Sequence, residues 1–281
     1  MVLYDFNGEV GIYLDDGLRK NIDTKIIPDL KKKEFDVVFA VTGRERIGKS
    51  TFAQTIGGYI AKQLGTNFDM SNICMTPDEL QKRIEHSSKN EVIIFDEAHR
   101  GMSSSRSLSE VNNILKNLFM EMGQFNLCVI VILPSYFMLD KYVAIHRTRG
   151  LFYIYERGRW VYYNEDHKRM LYIKGKKNMD MNCMKFPSLR GRCYTKTPLN
   201  RELYIEKKRE SFKNSENTGK RNKYITQRNI LITYIVKKLK QTQVSVAETL
   251  TDHQCPITFQ DISLIIAQNS DMYPESSSFK S

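Results

Sequence analysis

The sequence predicts an α/β protein: a mostly parallel sheet between helices, then a β-hairpin extension and a small helical module at the C-terminal end. Three observations carry that expectation. The runs Phe35–Val41, Val92–Phe95 and Leu127–Leu133 are short and almost wholly apolar, as strands covered on both faces are. Helix-forming stretches separate them, Phe52–Leu64 being the first. Beyond residue 199 only helical patterns remain. The chain divides accordingly into an N-terminal extension (1–34), a core with hairpin (35–198), a basic helical module (199–269) and a tail expected to be disordered (270–281).

Composition narrows the function classes. A chain of 281 residues with 41% hydrophobic content can bury one large core, or a medium core with an appendage. Lys and Arg outnumber Asp and Glu by 43 to 32, a net charge of +11 that favours a polyanionic partner or serves solubility. The cysteines at 74, 128, 183, 193 and 255 form no C-x-x-C pair and read as free thiols of a reducing compartment. The opening MVLYDFNGEV lacks the pattern of a signal peptide, and Leu127–Leu133 is far shorter than the roughly 20 residues of a membrane span. The expectation is a cytoplasmic chain with no membrane span.

Residues 1–34 hold one strand candidate, Val10–Leu14, and a lysine cluster at 31–33 that reads as a solvated turn. The strand Phe35–Val41 then runs into Gly43-Arg-Glu-Arg-Ile-Gly48-Lys49-Ser50-Thr51, a match to G-x-x-x-x-G-K-[ST] between a strand and a helix. A loop of this kind turns backbone N–H groups toward a di- or triphosphate and adds the positive end of the helix. Lys49 would reach the β- and γ-phosphates, and the Ser50 hydroxyl would ligate Mg²⁺. Asn72–Met75 reads as a short strand. Thr76-Pro77-Asp78-Glu79 opens a helix with a capping box.

Val92–Phe95 ends at two carboxylates. Asp96 would hold Mg²⁺ and Glu97 would polarise the attacking water. Such a pair could be a solvated turn, but one strand–helix unit after a phosphate loop it points to hydrolysis. A helix is expected over Leu108–Met122, with Val111, Leu115, Leu118 and Met122 facing the core. In ATPases with such motifs a polar residue at the end of the strand beside the acidic one commonly senses the γ-phosphate, and Ser135, after Leu127–Leu133, is the candidate for that role. Tyr136–Ile145 looks helical. Leu151–Glu156 and the run RWVYYN form a hairpin around Gly158, with MLYIKG (170–175) as a third strand. Seven aromatics (Phe152, Tyr153, Tyr155, Trp160, Tyr162, Tyr163 and Tyr172) crowd this region; packing is favoured over stacking on bases. Leu199–Phe212 reads as a charged helix, 213–223 as a linker, and Tyr224–Leu239, Val244–Leu250 and Phe259–Ala267 as three helices. Over 201–240, twelve basic residues oppose four acidic ones, which suits DNA, an oligomer contact or a solvated face.

With GRERIGKST, IIFDEA and an added strand after them, the chain resembles P-loop ATPases of the ASCE type, with a RecA/FtsK-like sheet. Within them it is most similar to the FtsK/HerA-like DNA pumps and the viral packaging ATPases, terminase- and Zot-like. The resemblance covers roughly residues 35–175. It implies ATP and Mg²⁺ as cofactors, Gly43, Arg44, Arg46, Gly48, Lys49, Ser50 and Thr51 at the nucleotide, and Ser50 and Asp96 at the metal. Glu97 and Lys49 become catalytic, with Arg44 or Arg46 as the loop arginine of packaging enzymes. Arg147 and Arg149 become candidate fingers supplied to a neighbouring subunit, ahead of Arg106 and Arg100; surface salt bridges are the alternative. The resemblance is expected to be partial: no Zot-like membrane helix is visible, the basic helical region after residue 200 gives no argument for a terminase nuclease, and these 281 residues leave no length for the second domain of a helicase.

A DNA translocase of a virus or mobile element follows as the leading expectation. It would work as a homo-oligomeric ring, hexamer or pentamer, alongside a capsid or transfer-machinery protein, in the host cytoplasm if viral. A non-processive ATP switch or loader, acting on DNA replication or transfer through the helical module, is the alternative. A small-molecule kinase is disfavoured by the adjacent acidic pair.

Overall fold

A computed structural model describes residues 2–96, 105–183, 186–194, 196–217, 223–253 and 257–269, the side chains of 2, 105–111, 212–217 and 223–226 excepted. The chain forms two compact units, Met1–Ser211 and Phe212–Ser281.

The first unit opens with a hairpin, β1 (Val2–Phe6) and β2 (Glu9–Leu14), followed by α1 (Asp16–Asn21), a π-helical turn at Ile22–Ile26 and α2 (Ile27–Lys31). Asp15 starts α1 by accepting the N–H of Gly17 at 3.0 Å. These residues are no free extension. Ile12, Leu14, Leu18, Ile22, Ile26 and Leu30 are buried in the same core as the phosphate-loop helix.

The central elements follow: β3 (Val37–Gly43), α3 (Lys49–Leu64), β4 (Ile73–Cys74), α4 (Pro77–Glu85), β5 (Val92–Phe95), α5 (Ser105–Glu121) and β6 (Cys128–Leu133). Then come β7 (Thr148–Glu156), β8 (Arg159–Tyr163), α6 (Glu165–Gly175), β9 (Leu189–Arg192) and α7 (Arg201–Asn217). The strands make one seven-stranded sheet in the order β4-β5-β6-β3-β7-β8-β9. Neighbours from β4 to β7 are parallel, and β8 and β9 add antiparallel.

Alternation explains why the central strands read as unbroken apolar runs. Val37, Phe39 and Val41 face one core with α3 and the N-terminal hairpin. Val38 and Ala40 face a second core with Leu80 of α4, Leu115 and Phe119 of α5, and Leu171 of α6. A sheet covered on both sides needs apolar residues at every position. Phe35, expected in the strand, precedes it and is exposed.

Three expectations change. MLYIKG is the end of α6, not a third strand. Asn164 accepts the N–H of His167 at 3.0 Å, two acids follow in the first turn, and Leu171, Tyr172 and Gly175 bury one helical face. The third strand is β9, in a stretch without sequence periodicity, held by Val161–Arg190 pairing. Tyr136–Ile145 is not one helix: a 3₁₀ turn at Tyr136–Met138 stops at extended Leu139, and a π-helical turn occupies Val143–Arg147. The helix after Leu199 begins at Arg201 and runs on to Asn217, into the expected linker.

At α4 the expected cap forms with a variation. Thr76 accepts the N–H of Glu79 at 3.2 Å, while the Glu79 carboxylate takes the Met75 N–H at 2.8 Å, one residue earlier than in a capping box.

The second unit contains α8 (Lys223–Lys237), α9 (Gln243–Asp252) and α10 (Phe259–Gln268), which bury Ile232, Val246, Ile262 and Ile265 together. Thr242 and Thr258 cap the last two. The expected tail, 270–281, lies outside the described residues. Among the described residues, no helix is long and apolar enough to cross a membrane.

Candidate functional site at the carboxyl end of the sheet

Parallel strands bring their carboxyl ends to one edge, and the motifs meet there. Thr42 pairs with Leu133, and Ala40 and Phe95 both pair with Val131. Gly43, Asp96 and Ser135 therefore emerge within a few residues of one level. With β6 between them, the β3 and β5 backbones are about 10 Å apart, a span that a lysine side chain and a carboxylate can largely cross.

The loop between β3 and α3 is shaped by its glycines. Gly43 takes φ +149°, and a Cβ there would stand 2.4 Å from the Ile154 carbonyl oxygen. Gly48 takes φ +107° with open space around it. Arg46 adopts the left-handed region without being glycine, at φ 57°. Arg44 and Arg46 are exposed, whereas Ile47 packs on the core and anchors the loop from below.

The start of α3 suits a phosphate-bearing ligand. Its N-cap is Gly48, no side chain caps it, and its first turn holds no acidic residue. By contrast α1, α4, α6, α9 and α10 are all capped by Asp, Thr or Asn side chains. The first N–H groups of a helix have no intrahelical partner, so here they remain for an external acceptor. Ser50 and Thr51 lie in that turn, half-buried.

Lys49 Nζ donates to the carbonyl oxygens of Gly43 and Arg44, each at 2.8 Å, and so bends back over the loop. Burial lowers its pKa; the charge of Asp96 opposes the shift, and that of Lys208 adds to it. Asp96 is almost fully buried, its N–H bonded to the Cys74 carbonyl at 2.9 Å. One carboxylate oxygen, Oδ2, accepts the Tyr204 hydroxyl. The Ser50 hydroxyl and the Asp96 carboxylate are both oxygen donors, the ligand type a hard divalent cation takes. Glu97 and Arg100 lie outside the described residues, as does the side chain of Arg106.

Ser135 stands at the end of β6 as expected, but its hydroxyl accepts the N–H of Phe137 at 3.4 Å and starts the 3₁₀ turn. Arg147 and Arg149 are at the opposite edge. Thr148 is level with Val38, so both arginines flank the amino end of β3, away from the loop. Arg147 pairs with Asp36, and Arg149 pairs with Asp29 at 3.2 Å and with Glu165. Within this chain they brace the sheet, and the geometry does not bring them to Lys49. The aromatics of the hairpin are packing residues: the rings of Phe152, edge-on, and Trp160, tilted, pack against Phe52 with centroids 5.1 and 5.6 Å away, and of the hairpin aromatics only Tyr155 is well exposed.

Tyr204, Lys207 and Lys208 were not legible as site residues. They sit on a charged helix, Tyr204 being 108 positions beyond Asp96, and no local motif marks them. Neither a protein-family model nor a curated protein matches the chain.

Proposed function

We propose that the chain is a Mg²⁺-dependent P-loop ATPase of the ASCE type, and that it moves DNA as a subunit of a ring. The supporting observation is the strand order: β6 separates the lysine-bearing β3–α3 loop from the strand ending at Asp96, and both open at one edge. In this reading the loop amides and Lys49 hold the phosphates, and Ser50 and Asp96 hold the cation. Lys49 would leave the Gly43 and Arg44 carbonyls to neutralise charge on the terminal phosphate. Glu97 would orient and deprotonate the attacking water. When bound, the cation would supply charge neutralisation to the phosphates. The net charge of +11 supports a nucleic-acid partner.

The test is ATP turnover with and without DNA. Lys49→Ala and Glu97→Gln should abolish it, and DNA should raise the wild-type rate, less so as salt increases. A wild-type rate indifferent to DNA would count against a translocase. It would favour the second reading, an ATP switch or loader. The separate three-helix core of the second unit supports that alternative, since such a module can bind a partner independently.

A further inference from the structure

We infer, on the basis of the nucleotide-binding proposal, that the first half of α7 is part of the nucleotide site, with Tyr204 as the residue that positions Asp96 for a divalent cation. Four contacts made by three residues of α7, all within the first unit, carry this.

The Tyr204 hydroxyl donates to Asp96 Oδ2. Three residues on, Lys207 Nζ donates to the carbonyl oxygens of Met70, at 2.8 Å, and of Ile73. Four residues on from Tyr204, the Lys208 ammonium lies 5.8 Å from the Tyr204 ring centroid. Residues three and four apart share a helix face, so one face of α7 presents a phenol and two ammonium groups to this edge of the sheet. Ile73 on β4 is the register partner of Ile94 on β5, two residues before Asp96. The helix is thus fastened at two points, just beyond the end of β5 at Asp96, and at Met70 and Ile73, just before and at the start of β4.

An aspartate carboxylate turns freely about its last torsion, where the energy wells are broad. A hydroxyl held on Oδ2 fixes that plane and leaves Oδ1 with its lone pairs for a cation or for water bound to it. The Lys207 grip uses backbone carbonyls only, so α7 stays in place whatever Asp96 binds. Tyr204 therefore acts on the cation through Asp96, and Lys208 adds positive charge near Lys49, where the terminal phosphate would sit.

The experiment titrates Mg²⁺ into the full-length chain with a fluorescent N-methylanthraniloyl ATP, for wild type, Tyr204→Phe and Lys207→Met, and records thermal unfolding of each. Tyr204→Phe should need about tenfold or more Mg²⁺ for half-maximal binding, the usual scale for losing a partner of a metal-binding carboxylate. Its binding in EDTA should match wild type. Lys207→Met should shift the Mg²⁺ requirement in the same direction, and it keeps the test open if the phenylalanine variant does not fold. An unchanged requirement in a folded variant overturns the inference. A lowered one also overturns it, by making α7 a competitor of the cation. If the wild type binds no probe at any Mg²⁺ concentration, the nucleotide proposal itself falls, a result distinct from wild-type binding with unshifted variants.

Discussion

The carbonyl oxygen of Ile154 lies where a side chain on Gly43 would begin, 2.4 Å from an ideal Cβ. Gly43 ends β3 and its register partner Ile154 stands two residues before the end of β7, so the hairpin strand closes one wall of the loop and leaves room for glycine alone.

Gly43→Ala should therefore push β7 from β3 at the mouth of the site. Backbone cannot yield as a flexible side chain can, and a loss of about 2–4 kcal/mol is expected in urea unfolding, together with weakened nucleotide affinity. Gly48→Ala meets open space but keeps φ +107°, so its cost should be smaller, about 1–3 kcal/mol. Equal effects of the two substitutions would contradict the close approach of β7.

Arg147 should behave as a brace. Arg147→Ala is expected to lose about 2–3 kcal/mol, and a double-mutant cycle with Asp36→Ala should return a coupling of about 1 kcal/mol or more. ATP turnover per folded molecule should stay near the wild-type rate. A collapse of turnover with nucleotide affinity intact would instead restore Arg147 as a finger acting on a neighbouring subunit.

Lys168 gives a pH signature. It is fully buried in α6, donates to the carbonyls of Ala144 at 2.9 Å and Ile145 at 2.7 Å, and burial lowers its pKa from 10.5 to about 8. Between these values the folded chain has released a proton that the unfolded chain still holds, so stability rises with pH across that window. The burial cost is present in full below pH 8. Wild type should gain about 2–3 kcal/mol relative to Lys168→Met between pH 8 and 10.5. The two lost hydrogen bonds set the offset between the curves but not this slope; parallel curves would refute the shift.

Local chemistry made much of this fold legible. The three apolar runs became central strands, because a sheet covered on both faces leaves no polar position to confuse the pattern. Thr76 and Pro77 marked the start of α4 for the same local reason. What the sequence hid depends on partners outside the segment. MLYIKG has the apolar content of a strand, and the filled cap upstream of it, at Asn164, is what makes it helix. β9 exists because β8 offers an edge. At the candidate site, Lys49 and Asp96 could be singled out because a fixed spacing encodes a loop and an acid ends a strand, and the sheet brings the ends of β3 and β5 to one level. Tyr204 was not, since its tie to Asp96 spans 108 residues. The in-chain partners of Arg147 and Arg149 were hidden for the same reason: two of them, Asp36 and Asp29, lie 111 and 120 residues away.

One triphosphate bound at Gly43–Ser50, with its cation at Asp96, is the claim on which the rest depends. Isothermal titration of ATP with Mg²⁺ into wild type, Lys49→Ala and Asp96→Asn tests it most directly. The expected result is one site per chain in wild type, no measurable binding to Lys49→Ala, and loss of the Mg²⁺-dependent part of the affinity in Asp96→Asn. Binding to Lys49→Ala as tight as to wild type, or no binding to a folded wild type, would contradict it.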